Sequence, residues 1–581
     1  MTFKAPELTA ARDAALEHYA ATLNDSAFDV LPYVPAAWLE DAFLRHVPAD
    51  LFLILRHKIV PISWMSPLVL HAVVNETALA EARMLGLVVV ARISPESYRA
   101  AVRRYHGRHL IARAVHGFAR AAPQMSARMR LSNGQAYTFM ILAAAAAGAW
   151  QFGGMPTLAF ACSIAGMLFF TLVVAIRVFC VLPTSGGRAP APQPLHDDEL
   201  PVYTLLVPAF RETAILIQLV RALLAIDYPA EKLDIKLILE EDDVAMRRAV
   251  LDLALPATFD VLVVPAGKPR TKPRALNYGL QFARGTLVAI YDAEDIPHWQ
   301  QLRKAAERFA AAPHDLACLQ AALAFYNPRV NWLTRQFAAE YAALFKIILP
   351  VLSERGLPIL LGGTSNHFRR EALEAAGAWD PFNVTEDADL GIRLARLGYR
   401  CETLASETHE EANMEIGNWL KQRSRWLKGF LQTWLVHMRS PLALHRELGS
   451  NGFWIVQCMT LGVFGSALLH PFLLAIGIWR LLPANMTLLP NTVTAHFLSG
   501  SSAAILIAGY AVSMILAASG MSRQRLRPNW LVIFTLPLYW LLMSVAAWLA
   551  LWDFAFRPFH WHKTRHGTSM AGENYIRPKR H

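Results

Sequence analysis

The run TLVAIYDAEDIP, Thr286 to Pro297, decides how the chain folds. Thr286 to Ile290 is a short, almost continuous apolar stretch, which predicts a strand buried on both faces of a parallel sheet. Three acids, Asp292, Glu294 and Asp295, follow within one turn. Open α/β sheets bind ligands beyond the carboxyl ends of their strands, so these acids are expected at a site. Crowded carboxylates repel unless a cation or solvent relieves them, and hard oxygen ligands of this kind suit Mg²⁺ or Mn²⁺, which can grip a diphosphate. A solvated acidic turn is the plainer reading of the triplet alone, and its surroundings decide between the two.

Outward from this run, residues from about 200 to 440 alternate β-rich stretches (YTLLVPAF, IKLILEE, FDVLVVP, TLVAI) with helical patterns, the signature of βαβ units. The segment ends in NWLKQRSRWLKGFLQTWLVHM, whose tryptophans share a face at helical spacing with basic residues around the rest. That pattern predicts a helix lying at a membrane surface.

The whole chain is 581 residues and 54% hydrophobic with only 17% charged residues, too long for one core and too apolar for an ordinary soluble protein. Its net charge of +11 gathers beside apolar spans rather than in a basic, aromatic-studded patch, so no nucleic-acid partner is expected. Five scattered cysteines give neither a zinc spacing nor a disulfide framework. Apolar spans at 137–182, joined by QFGGMP, read as two transmembrane helices that start and finish on the cytoplasmic side, flanked by Arg128, Arg130, Arg177 and Arg188. A Gly/Pro/Ala-rich linker leads from them to the α/β segment.

A further apolar region, 453–556, contains spans at about 453–479 and 493–519, then the stretch 530–552, bordered by basic residues at both ends. This last stretch is expected to be re-entrant or interfacial, broken at Pro537, in preference to the alternative of a further crossing, with 557–581 a cytoplasmic tail. Residues 1–125 read as a small soluble α/β domain with no apolar leader, expected to stay in the cytoplasm.

Within the α/β segment four more motifs carry chemistry. LILEEDD puts Glu240, Glu241 and Asp242 at a strand end, where a carboxylate can accept the N–H of a uracil-type base. TKPRALNYGL opens a helix with Lys272, Arg274 and Asn277, either a basic surface turn or, with its cations at a helix N-terminus, an arrangement that favours phosphate. GGTSNHFRR, 362–370, lets backbone approach a sugar, and Thr385-Glu386-Asp387 opens another helix, where Asp387 is either a general base or part of a cap. QRSRW supplies Gln422, Arg425 for a leaving diphosphate and Trp426 as a flat face for a sugar ring.

In this order and spacing the motifs resemble the membrane-embedded family 2 glycosyltransferases, the group of bacterial cellulose, hyaluronan and chitin synthases, over roughly residues 137–567. YDAED, GGTSNHF, T-E-D, QRSRWLKG and PFHWHKTRHG look closest to inner-membrane transferases of exopolysaccharide systems, including a phage-receptor-associated type. The resemblance implies a GT-A-type α/β domain inserted between transmembrane helices, and Mg²⁺ or Mn²⁺ on Asp292 and Glu294, with Glu294 where the family more often has Asp. It implies Asp387 as base, and Glu240, Glu241, Asp242, Lys272, Asn277, Glu386, Gln422, Arg425 and Trp426 as substrate-binding residues. HWHKTRHG matches a loop that closes over the donor. The implied activity is inverting transfer from a nucleotide-diphosphate sugar, UDP-linked by analogy, to a growing polysaccharide at the bacterial inner membrane, with the catalytic domain cytoplasmic and a periplasmic or outer-membrane export partner. Single addition to a lipid-linked acceptor and a non-catalytic scaffold are the alternatives. Residues 1–125 resemble part of the N-terminal domain of type II secretion ATPases but lack its Arg-Leu-Gly nucleotide motif, so a docking or structural role is expected.

Overall fold

The computed structural model describes residues 48–65, 68–182, 193–481 and 493–557, with isolated positions between 31 and 43. The PFHWHKTRHG segment lies outside the described residues. Near the N-terminus, strands β1 (Ile59–Met65), β2 (Leu68–Val73) and β3 (Val88–Arg92) form a three-stranded sheet, and Ser94 caps the helix Pro95–Ala121 that leaves it. That helix lies against the central domain, where Asn277 and Gln281 donate to its carbonyls at Ala114 and Leu110 (both 3.1 Å).

The central domain is built on eight strands: β4 (Tyr203–Ala209), β5 (Leu233–Glu240), β6 (Phe259–Val264), β7 (Leu287–Ile290), β8 (Ile296–Pro297), β9 (Leu316–Phe325), β10 (Asn366–Arg369) and β11 (Arg400–Glu410). Their order is β6-β5-β4-β7-β10-β9-β11-β8. The first four run parallel, β10 is antiparallel to both neighbours, and β9 and β11 are parallel to each other. The four residues of β7 are all buried, as the apolar run requires. Strand β5 is buried throughout despite a lysine, because Lys236 pairs with Asp234 at 2.8 Å and Asp260 at 2.9 Å. Strand order reverses between β4 and β7, so the carboxyl ends of these strands open on a crevice. Ile290 runs straight from there into the acidic turn.

Among the described residues, five helices are long and apolar enough to cross a membrane: Phe160–Val181, Trp332–Glu354, Pro441–Ile476, Gly500–Arg523 and Leu536–Phe556. The first is the second arm of a helical stretch, Asn133–Val181, interrupted where Gly154 takes φ 68°. Trp332–Glu354 belongs to the central domain and packs beneath its sheet. The stretch expected to break at Pro537 instead forms a short helix, Trp530–Phe534, and then a continuous 21-residue one. Pro537 sits in the first turn of the second helix, where its missing N–H costs nothing, so it starts the helix rather than breaking it. The helix Ile416–His437 turns tryptophan toward protein, with Trp419 fully buried and its ring 5.2 Å from that of Tyr539 in the final helix.

Candidate active site

The acidic turn folds back on itself at the mouth of the crevice. Asp295 is buried, and its Oδ2 accepts the Asp292 N–H (2.7 Å) and the Thr364 hydroxyl. Its Oδ1 is buried without a hydrogen-bond partner among the described residues. Burial and the neighbouring carboxylates of Asp292 and Glu294 push Asp295 well above the usual carboxylate range. Burial, then Asp292, raises Glu294 to about 7. Asp292 pairs with Lys272 at the start of the helix Lys272–Leu280, and the same ammonium donates to the Gly363 carbonyl at 2.6 Å. Burial works to lower the Lys272 pKa, but the charges of Asp292 and Glu386 outweigh it and hold it above its ordinary value.

Glu386 and Asp387 open the helix Glu386–Arg396 on the facing wall. Burial, then Asp387, lifts Glu386 to about 8. Burial lifts Asp387 to about 6, opposed by the Ala388 N–H that donates to its Oδ1 (2.8 Å) and by Lys272 and Arg425. Two glycines permit this closeness. A Cβ on Gly363 would sit 3.3 Å from Asp387 Oδ2, and one on Gly429 would lie 2.3 Å from the Thr385 methyl. The small residues of GGTSNHF and QRSRWLKG thus bring loop and helix onto the T-E-D turn.

The helix carrying QRSRW closes the third side. Burial pulls the Arg425 pKa down, opposed by the nearby charges of Glu386, Asp292, Asp387 and Glu294, and the side chain lines the same cavity as these four acids. Gln422 accepts from Asn413 Nδ2 at 2.7 Å. Trp426 stacks on Tyr341 (6.2 Å, 24°), and the Arg423 guanidinium lies 4.6 Å from its ring centroid. Arg423 in turn grips Glu340 through two hydrogen bonds (2.8 and 2.6 Å) and reaches the Tyr539 hydroxyl (3.1 Å).

Glu240, Lys272, Asp292 and Glu294 line one continuous cavity of about 2230 Å³ together with Glu386, Asp387, Gln422, Arg425 and Trp426. Glu241, Asp242 and Asn277 do not line it. Glu241 accepts from the Ala266 N–H and pairs with Arg103 of the N-terminal helix, while Asp242 pairs with Arg270. Asn277 bonds both polar groups of the Trp379 backbone. Glu240 reaches the cavity already engaged by the buried Arg274.

Sequence reasoning passed over Arg423, Thr364 and Glu410. Glu410, at the end of β11, lines the cavity and is pushed well up by burial and by Asp295 and Glu294. The acids of its own strand end, THEEANME, were its only signal.

Residues 201–429 match the family described as Glycosyltransferase like family 2. This segment is a family 2 glycosyltransferase domain. Among curated proteins, the chain is similar to a beta-monoglucosyldiacylglycerol synthase from Synechocystis sp., at 29% identity over 44% of this chain and 54% of the relative. It is also similar to Cellulose synthase 2 of Novacetimonas hansenii, at 28% identity over 46% of this chain and 16% of that one. The chain thus spans about half the length of the first relative and a smaller part of the second. Among solved structures, the mannosyltransferase PcManGT from Pyrobaculum calidifontis, in complex with GDP-Man and Mn²⁺, is similar at 18% identity and a TM-score of 0.42, covering 68% of this chain and 99% of that one.

Among the described residues of the family 2 domain and its surroundings, no group of three His, Cys, Asp or Glu side chains is arranged to hold a metal by itself. The donor set still fits Mg²⁺ or Mn²⁺. Mg²⁺ is usually held by one or two carboxylates plus substrate phosphates and water, and Asp292 and Glu294 supply hard oxygens whose mutual repulsion a cation would relieve.

Proposed function

We propose that this chain is a membrane-embedded, inverting glycosyltransferase that moves a sugar from a nucleotide-diphosphate donor, UDP-linked by preference, to a growing exopolysaccharide. One observation carries this reading. The cavity that begins among the carboxylates of the family 2 domain continues, without a wall, between the transmembrane helices, past Phe170, His470, Tyr510 and Trp540.

In this reading Asp387 takes the proton of the acceptor hydroxyl while that oxygen attacks the anomeric carbon. The bond from that carbon to the diphosphate oxygen breaks, its electron pair leaves with the nucleoside diphosphate, and the configuration inverts. With its pKa near 6, Asp387 is mostly ionised at neutral pH yet more basic than a solvated aspartate. Lys272 and Arg425 face the departing phosphates and offset their charge in a water-poor pocket. Asp292 and Glu294 are the residues that would hold a divalent ion, which when bound supplies Lewis-acid charge for the diphosphate. Trp426 and Tyr341 offer the acceptor sugar a stacked aromatic face. The expected setting is the bacterial inner membrane with the family 2 domain in the cytoplasm.

Single addition to a lipid acceptor stays as the second reading, because one relative is by name a synthase of a monoglucosyldiacylglycerol. The test is nucleoside diphosphate release by detergent-purified protein offered UDP-, GDP- and dTDP-sugars with Mg²⁺ or Mn²⁺, followed by sizing of the product. Release from one donor, lost with chelator and in Asp387→Asn, is the expected result, with long products from a processive enzyme and one added sugar under the second reading. No release from any donor, with acceptor and membrane lipid supplied, would point to a non-catalytic scaffold.

A further inference from the structure

The membrane half of the cavity contains a cation that the transfer chemistry does not use. Arg177 lies within the apolar helix Phe160–Val181 and lines the cavity. Its side-chain hydrogen bond among the described residues goes to a neutral group, the Ser513 hydroxyl of Gly500–Arg523, at 2.6 Å. The guanidinium lies 5.8 Å from the centroid of Trp540 in the final helix. The nearby lining acid, Glu340, is already gripped in bidentate fashion by Arg423. A guanidinium inside an apolar span is costly to desolvate, and such residues mark ligand or ion pathways where they face a cavity.

What surrounds Arg177 is an organised wall. Trp540 stacks on Tyr510 (5.5 Å, 21°) and takes the edge of His470 (5.8 Å, 90°), and His470 Nε2 bonds the Tyr510 hydroxyl at 3.0 Å. Beside them, Ser466 Oγ and His470 Nδ1 are buried without a hydrogen-bond partner among the described residues. Four helices therefore contribute one cation, two unused polar atoms and a flat aromatic face to a single stretch of cavity wall. An aromatic face suits a sugar ring, and a planar guanidinium suits a carboxylate or phosphate.

We propose that Arg177, with Ser513 and the His470–Tyr510–Trp540 cluster, forms a subsite that recognises an anionic group carried by the acceptor. Two sources share this chemistry: the carboxylate of an acidic sugar in a growing chain, and the phosphate of a lipid-linked sugar. The inference rests on the transferase reading for its acceptor, but its test is a binding measurement and needs no turnover.

The experiment is equilibrium binding of four probes to detergent-purified full-length protein, in two matched pairs: a uronic-acid oligosaccharide against a neutral glucan oligosaccharide of the same length, and an alkyl-phosphate-linked monosaccharide against the matching neutral alkyl glycoside. Wild type is expected to favour one anionic probe over its neutral counterpart by about tenfold or more, and which one identifies the source. Arg177→Gln should abolish that preference while leaving neutral-probe affinity within about twofold, and Arg177→Lys should retain part of it. Wild type without preference for either anionic probe overturns the proposal, as does a preference that survives in Arg177→Gln. If the Gln variant is not monodisperse, the wild-type comparison and the Lys variant decide. Loss of nucleoside diphosphate release with anion preference intact would sink the transferase reading and leave the subsite standing.

Discussion

The two ends of the cavity are built by opposite means. At the sheet edge, carboxylates and cations crowd together, each held by a backbone N–H, a hydroxyl or an ion pair, and nearly all come from short motifs. Between the membrane helices, polar groups meet in isolated pairs, Arg177 with Ser513 and His470 with Tyr510, and each pair joins two separate helices. Chemistry that needs several charges at fixed distances is thus carried by local turns, whereas a cavity between apolar helices is a product of helix packing. Variants at the first end should alter turnover, and variants at the second should alter what is bound or how far the product grows.

The sharpest contrast comes from pairing Asp387→Asn with Trp540→Leu. Loss of a general base typically costs 10²–10⁴-fold, so the first variant should lose about that much nucleoside diphosphate release while still binding donor. The second, lining only the membrane half, should keep release within about threefold and change product length. Equal losses in both, measured by release and product sizing, would break the division between the two ends.

How much of this was legible follows from the same contrast. TLVAIYDAED read correctly as strand then acidic turn, because a buried strand has an unmistakable apolar run and its end fixes where the acids emerge. Glu240 and Glu241 were indistinguishable in sequence, since neighbours at a strand end point to opposite sides, and only the packed N-terminal helix shows which side is which. Asn277 was misleading for a similar reason. It is five residues from Lys272, a rotation of about 140° around the helix, whereas residues three or four apart are neighbours on one face. One therefore reaches Asp292 and the other Trp379. Arg177 was legible only as a topology marker, because its role depends on helices whose approach no local pattern encodes.

A packing test comes next in size. Gly429→Ala places a Cβ against the Thr385 side chain, and overpacking of this kind costs about 1–3 kcal/mol. Displacement of the T-E-D turn should lower both the melting temperature and turnover. Thr385→Ala removes the methyl and hydroxyl that lie nearest the new Cβ and leaves only the residue's own Cβ at 2.8 Å, so the double variant should recover part of the loss, and a double-mutant cycle measures this coupling. Additive losses would mean that the helix and the turn do not meet at this point.

The crowded acids also make stability depend on pH. Asp387, Glu294 and Glu386 have folded pKa values raised to about 6, 7 and 8, so between the ordinary carboxylate range and pH 8 the folded state binds more protons than the unfolded one. Stability from these groups is fully present below their unfolded pKa values and is lost as pH rises through the folded ones. Melting temperature should therefore fall from about pH 5 to pH 8. Mn²⁺ with a nucleoside diphosphate should flatten that slope by favouring the ionised carboxylates, and no such flattening should occur in Asp292→Asn. A melting temperature that rises across this window would show that the carboxylates are not buried together.

The smallest effect is expected at the seam between the N-terminal helix and the first acidic motif. Arg103 is 61% exposed where it pairs with Glu241, and exposed ion pairs contribute about 0–1 kcal/mol. Glu241 points away from the cavity, while Glu240, one residue earlier, is buried against Arg274 and lines it. Arg103→Ala should therefore leave donor KM within about twofold, whereas Glu240→Gln, which leaves a buried guanidinium without its carboxylate, should raise donor KM and lower the melting temperature. A change of more than about fivefold in donor KM for Arg103→Ala would mean that the pair transmits the position of the N-terminal domain to the donor pocket. In that event the sheet-edge end of the cavity, too, depends on contacts between distant parts of the chain, and the contrast with the membrane end would narrow to one of charge density.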